Sequence, residues 1–138
     1  MKVKSLLILA GALLLLPLKS MAQDPKQPAN YAALVKNERS LIGAIETAEE
    51  LLIDNPKSFG EFQIVFCGKS IPQNTDTKIM DPILKRISNQ PISVVACGFS
   101  LNKFKVDQSG IPRDIDIVEN GILYLFQLLK KDYINLDL

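Results

Sequence analysis

Apolar residues fall along this chain in two alternating rhythms, short unbroken runs and longer stretches at helical spacing. Tyr31 to Val35 is an unbroken run. Ser40 to Leu52 then places Leu41, Ile45, Ala48 and Leu52 on one face and Glu46, Glu49 and Glu50 elsewhere, the pattern of a strand followed by an amphipathic helix. Asn55-Pro56 ends that helix, because a residue before proline is pushed out of the α region. Phe62 to Cys67 reads as a second strand. From Ile79 to Ile87, Ile79, Ile83 and Ile87 share a face with Met80 and Leu84 while Lys85 and Arg86 point away, predicting a helix that begins near Asp81-Pro82. Ile92 to Cys97 is a third strand, Ser100 to Val106 a short helix and Gln108-Ser109-Gly110 a turn. Asp114 to Val118 alternates as a strand, Asn120 caps a helix running to about Lys131, and Ile134 to Leu138 alternates as a closing strand.

The order βαβαβαβαβ calls for an α/β domain with a five-stranded, mostly parallel sheet covered by helices on both faces. The first three strands are continuously apolar, as strands buried on both faces are, and the last two alternate, which places them at the sheet edges. The last helix is apolar around most of its circumference. Ile122, Leu125, Phe126 and Leu129 are assigned to the core, leaving Leu123, Tyr124 and Leu128 as a patch for another subunit or for another helix of the same chain.

The N-terminal segment has a different character. Lys2 and Lys4 precede an apolar run from Leu6 to Leu16, Pro17 breaks it, and Ser20-Met21-Ala22 supplies small residues. This is the pattern of a secretory signal, residues 1–22, cleaved before Gln23. A membrane span needs about 20 apolar residues, so the mature chain is expected not to span a membrane. Residues 23–30, with Pro25 and Pro28, read as a flexible leader, and 31–138 as one domain. The protein is therefore expected in the periplasm or another extracytoplasmic compartment, where disulfides persist.

Composition narrows the chemistry. The chain has no histidine, which removes Ser-His-Asp and Cys-His catalysis and HExxH-type zinc sites together. With a net charge of +1 and no basic block, nucleic acid is not an expected partner. There is no glycine-rich phosphate loop, so no nucleotide cofactor is assigned. Asp114, Asp116 and Glu119, like the Glu46, Glu49 and Glu50 cluster, read as solvated surface rather than as metal ligands, so no metal is assigned. Two cysteines remain.

Those cysteines sit in a repeat. Ile64-Val65-Phe66-Cys67-Gly68-Lys69-Ser70 matches Val94-Val95-Ala96-Cys97-Gly98-Phe99-Ser100 at four of seven positions, thirty residues apart. Both thiols thus end a central strand, at the edge of a parallel sheet where ligands and chemistry are found, and Gly68 and Gly98 allow close backbone approach. Free N–H groups around Phe99 to Leu101, at the start of the next helix, favour a Cys97 thiolate; the alternative is that Ser100 serves only as that helix's N-cap. Cys67 precedes a polar loop, Lys69 to Thr77, that is expected to act as a flexible cover and to bring the Lys69 ammonium near the thiolate. Two readings stay open: a reactive pair, and a structural disulfide in a non-enzymatic binding or assembly module.

The segment Ile92-Ser93-Val94-Val95-Ala96-Cys97-Gly98-Phe99-Ser100-Leu101 and the ending from Val118-Glu119-Asn120-Gly121-Ile122 through Leu128-Leu129-Lys130-Lys131-Asp132-Tyr133-Ile134 resemble the DsrE/DsrF-like family, which includes YchN-type proteins and sulfur-relay subunits. The resemblance covers Tyr31 to Leu138. It implies a three-layer α/β/α sandwich of flavodoxin-like appearance with strand order 4-3-2-1-5, and assembly into trimers or hexamers. Strands two and three would then be neighbours about 4.8 Å apart, bringing Cys67 and Cys97 towards disulfide geometry. It further implies a sulfur carrier or sulfurtransferase-like protein in which Cys97 holds a persulfide, exchanged with small sulfur compounds or a thiol-bearing partner protein. Cys67 has no clear counterpart in the relay motif, and its resolving role rests on the repeat alone. The chain departs from the family at Asp132, where glycine is frequent, and in its secretory signal.

Overall fold

The computed structural model describes residues 27–138; the signal segment, its cleavage point and most of the leader lie outside the described residues. Five strands, β1 (Ala29–Val35), β2 (Phe59–Phe66), β3 (Ile92–Cys97), β4 (Asp116–Val118) and β5 (Ile134–Asp137), form one sheet. All pairings are parallel, in the order β4-β3-β2-β1-β5. The two alternating strands therefore occupy the edges, as their pattern predicts. The first strand starts at Ala29, so the last two residues of the expected leader belong to the sheet.

Four helices connect the strands: α1 (Glu38–Asp54), α2 (Thr77–Ile87), α3 (Gly98–Lys103) and α4 (Gly121–Leu129). Asn37 caps α1, its Oδ1 accepting from Ser40 N–H at 2.9 Å, which satisfies one of the unpaired donors of the first turn. Leu41, Ala44, Ile45 and Ala48 of α1 and Met80, Ile83 and Ile87 of α2 pack on Val35, Ile64, Phe66 and Val94 of the sheet to make the main core. On the other face α4 stands alone among the described residues, its Leu125 and Leu128 packing on Ala32, Val65, Cys67 and Cys97. The result is an α/β/α sandwich with one thick and one thin helical layer.

Two helices differ from their expected form. α2 begins at Thr77, capped by Asp76 through Lys78 N–H at 3.0 Å, instead of near Asp81-Pro82. Pro82 is accommodated because it and Lys78 lie on the exposed side, so the carbonyl deprived of a partner faces water. α4 is rotated relative to the expected assignment. Gly121, Leu125 and Leu128 are buried with Tyr124 partly covered, while Ile122, Leu123 and Phe126 are exposed by 55–60%. Assigning Ile122 and Phe126 to the core and Leu128 outward was thus incorrect. Hydropathy cannot orient a helix that is apolar all round; the small residue at its start decides, because only that side can approach the sheet closely.

After α4 the backbone turns through Asp132, whose φ is 63°. This is the left-handed region that favours glycine, and a residue here ends the helix in the usual way. Aspartate therefore holds this conformation with a strained side chain. Asp132→Gly should raise stability by up to about 1 kcal/mol, read as a higher denaturant midpoint at unchanged slope; a lower midpoint would show that the carboxylate has a compensating role. Among the described residues, no helix is long and apolar enough to cross a membrane.

Candidate functional site

The site is built from the ends of β2 and β3. Their register pairs Phe66 with Ala96, so the next residues, Cys67 and Cys97, stand side by side at the carboxyl edge of the sheet. Adjacent strands lie about 4.8 Å apart, which is within the Cα separation a disulfide spans. Both residues are free thiols and are 8% and 3% exposed. The chain paths diverge after them, so the repeat is structural only up to its glycine. Beyond Cys67 the backbone turns at Gly68, whose φ of 92° a side chain would resist. Beyond Cys97 it enters α3 at once.

The Cys97 sulfur accepts a hydrogen bond from a helix start and has polar neighbours from two further elements. The first residue of α4, Gly121, donates its N–H to Cys97 Sγ at 3.2 Å. Asn120 Oδ1 takes the next two donors, Ile122 N–H at 3.0 Å and Leu123 N–H at 3.1 Å, so capping and the sulfur divide the free N–H groups of this helix end. Ser100 is one of these neighbours and corrects its expected role. Cys97 itself occupies the cap position of α3, which starts at Gly98, and Ser100 lies inside the helix, where its hydroxyl and N–H lower the Cys97 thiol. The same Oγ accepts from Gly68 N–H at 3.0 Å, tying the two cysteine loops together. The neighbouring Cys67 thiol acts on Cys97 in the same direction.

These contacts separate the two thiols in ionisation. Burial pushes the Cys97 thiol up, but the Ser100 hydroxyl, the Gly121 and Ser100 N–H groups and the Cys67 thiol outweigh it and hold Cys97 below the ordinary thiol value. Burial pushes the Cys67 thiol up to about 12, and its neighbour Cys97 adds to the rise, opposed in part by the Lys36 charge. Of the two thiols, Cys97 is the more readily ionised and Cys67 the one that keeps its proton. Ser100→Ala should therefore move the midpoint of the pH profile of Cys97 alkylation upward, since a donor to the thiolate is lost. A profile unchanged or shifted downward would remove Ser100 from this role.

Lys69 does not take the expected place near Cys67. It is exposed beyond the Gly68 turn, and the following segment is no open flap: Ile71–Thr75 forms a 3-10 turn whose Ile71 is fully buried. The turn is tied to α1 by Glu38 N–H donating to Gln73 Oε1 at 3.1 Å. The nearby cation is Lys36, which immediately follows β1, the strand beside β2. Its register was legible only through strand order, because Cys67 N–H pairs with Val35 O at 3.0 Å.

A cavity of about 480 Å³ opens over the thiols. Cys67, Gly68, Cys97 and Ser100 line its base; Leu34, Phe99, Phe104 and Ile122 give apolar walls; Lys36, Lys103 and Asn120 complete it. Phe99 is 60% exposed. Gly98 lies beneath, packed so closely on the end of β4 that a Cβ would stand 2.7 Å from the Val118 carbonyl oxygen. A cavity of about 520 Å³ between α2 and Asp114, lined by Asp81, Lys85 and Ser93, contains no thiol. Asp114, Asp116 and Glu119 are exposed, and Glu49 pairs with Arg86 through Nε at 2.9 Å.

Two polar pairs were not anticipated. Tyr124 of α4 donates to Gln63 Oε1, and Tyr133 donates to Glu61, both partners lying on β2. Burial followed by Glu61 pushes the Tyr133 hydroxyl up to about 12. These bonds fasten α4 and its following turn to the sheet and so hold Gly121 against the cysteines. Tyr124, assigned by hydropathy to an outward patch, is a clamp.

No family model matches the chain, and no curated protein matches it. Among solved structures it is similar to the Structure of Protein of Unknown Function MTH1491 from Methanobacterium thermoautotrophicum, with a TM-score of 0.66 and 12% identity over 81% of this chain and 99% of that one. That likeness establishes the α/β fold.

Proposed function

We propose that the protein handles sulfane sulfur or thiol redox in an extracytoplasmic compartment, as an exported relative of the DsrE/DsrF-like sulfur carriers. The observation that carries this reading is a pair of adjacent thiols with opposed ionisation at the base of an open cavity. Cys97 as thiolate attacks the terminal sulfur of a sulfane donor; the new S–S bond forms as the donor's S–S bond breaks, and the leaving group departs with the electron pair. Cys97 then carries a persulfide. A thiol-bearing partner can take that sulfur, or Cys67 can resolve it. In resolution Cys67 loses its proton and attacks Cys97 Sγ, the disulfide forms, and hydrosulfide leaves with that proton. A dithiol reductant restores the pair.

The test is the intact mass of purified protein exposed to inorganic polysulfide, trapped with an alkylating agent and mapped by peptide. One added, reducible sulfur on Cys97, or its conversion to a Cys67–Cys97 disulfide with hydrosulfide released, is the expected result. A disulfide already complete in the isolated protein and resistant to mild reductant would instead make the pair a staple, the property of a binding or assembly module.

A further inference from the structure

The cavity over the thiols carries a charge pattern that nucleophilic sulfur by itself does not require. Among the described residues that line it, two are ammonium-bearing, Lys36 just after β1 and Lys103 at the end of α3, and none is a carboxylate. Apart from Asn120 its walls are apolar, with Phe104 38% and Ile122 55% exposed, and the Lys103 ammonium stands 5.8 Å from the centre of the Phe104 ring. A partly enclosed site of one sign with apolar walls focuses its field on whatever enters. The field of Lys36 reaches the base, where it acts on the Cys67 thiol.

We propose that this cavity selects small sulfur compounds that carry a fixed negative charge on a short apolar body, such as carboxylate-bearing persulfides, their anionic end held by Lys36 and Lys103 and their outer sulfur delivered to Cys97. This deepens the sulfur-handling reading and rests on it for the transfer step. In that step the Cys97 thiolate bonds to the outer sulfur of R–S–SH, the donor S–S bond breaks, and the anionic thiolate R–S⁻ leaves with the electron pair; no further oxidant is involved. Lys36 is engaged at its other side by Asp137, with Nζ to Oδ1 3.0 Å, but the two side chains are 55% and 61% exposed. An exposed pair of this kind contributes little, so a ligand carboxylate can replace Asp137. Asp137 thereby becomes the group that restrains the preference.

Iodoacetate and iodoacetamide test the field without any sulfur transfer. Both alkylate the same thiolate with loss of iodide, so their rate ratio cancels changes in thiolate fraction and isolates the response to charge. At low salt the ratio of iodoacetate to iodoacetamide rates at Cys97 should exceed that of the unfolded chain by about tenfold and fall as salt is raised. The double variant Lys36→Gln, Lys103→Gln should lose most of that excess, lysine-to-arginine replacements should keep it, and Asp137→Asn should increase it. A ratio equal to that of the unfolded chain, or one untouched by the double variant, would overturn the proposal. Sulfur loading from N-acetylcysteine persulfide and from its methyl ester then separates the two layers of argument. A preference for the acid that the double variant abolishes supports both. Equal loading from acid and ester with a flat alkylation ratio sinks the charge selection and leaves sulfur handling standing; no loading from either donor with a charge-dependent ratio sinks sulfur handling and leaves an anion-selective thiol site.

Discussion

Cys97→Ser should abolish sulfur loading from polysulfide, whereas Cys67→Ser should load normally and accumulate the persulfide. The expectation follows from the different surroundings of the two thiols at the end of the sheet. The Gly121 N–H, at 3.2 Å, and the Ser100 hydroxyl both serve the Cys97 sulfur, and a serine oxygen there is not ionised in the neutral range and cannot accept sulfane sulfur. Cys67, held protonated with its value pushed up to about 12, contributes little nucleophile at neutral pH and enters once a persulfide stands beside it. Removing it therefore removes the internal exit and spares the entry. The measurement is the intact mass of each variant after exposure to the donor, with released hydrosulfide quantified in parallel. Equal loading of wild type and Cys97→Ser would discard the assignment of the nucleophile. Rapid hydrosulfide release by Cys67→Ser without added thiol would discard the resolving role.

Gly121→Ala should both destabilise the fold and blunt Cys97. A Cβ at this position would stand 2.5 Å from Cys67 Sγ, 2.9 Å from Val65 Cγ1 and 3.0 Å from Cys97 Cβ. None of these is the end of a long flexible side chain. The start of α4 must lift off the sheet, and overpacking of this kind costs about 1–3 kcal/mol. The lift also lengthens the bond from Gly121 N–H to Cys97, so the alkylation profile of Cys97 should move to higher pH while that of an ordinary thiol stays in place. The clamps from Tyr124 to Gln63 and from Tyr133 to Glu61 oppose the movement, so the strain cannot be relieved by simple translation of the helix. Denaturant midpoints at unchanged slope read the first effect. Wild-type stability with wild-type Cys97 reactivity would show that the helix end is not pressed on the thiols.

The same helix marks how far sequence reasoning reaches. Its existence, its Asn120 cap and its apolar character follow from local pattern, and the cap bonds form as expected. Its rotation does not follow, since almost every side offered an apolar residue and the deciding contact was the absence of a side chain at Gly121. Ser100 shows the same limit: a serine near a helix start is ordinarily read as a cap, yet here the strand runs directly into the helix and the hydroxyl instead accepts from Gly68 N–H across the two cysteine loops. Pro82 misled in the other direction, because a proline favoured at helix starts is also tolerated one turn further in when the lost hydrogen bond faces water.

What the sequence by itself determined was periodic and local. Runs of continuous or alternating apolar residues set the order of strands and helices, the burial of β1 to β3, the edge positions of β4 and β5, and the placement of Cys67 and Cys97 at strand ends, because backbone period and side-chain burial are read over a few neighbouring residues. Tertiary structure alone decided what surrounds those thiols. Lys36 in place of Lys69, the Gly121 N–H on Cys97, the Ser100 bridge to Gly68 and the tyrosine clamps all join residues from different elements. No local period encodes such contacts. They arise from strand order and helix rotation, which are settled by how close two packed surfaces can come.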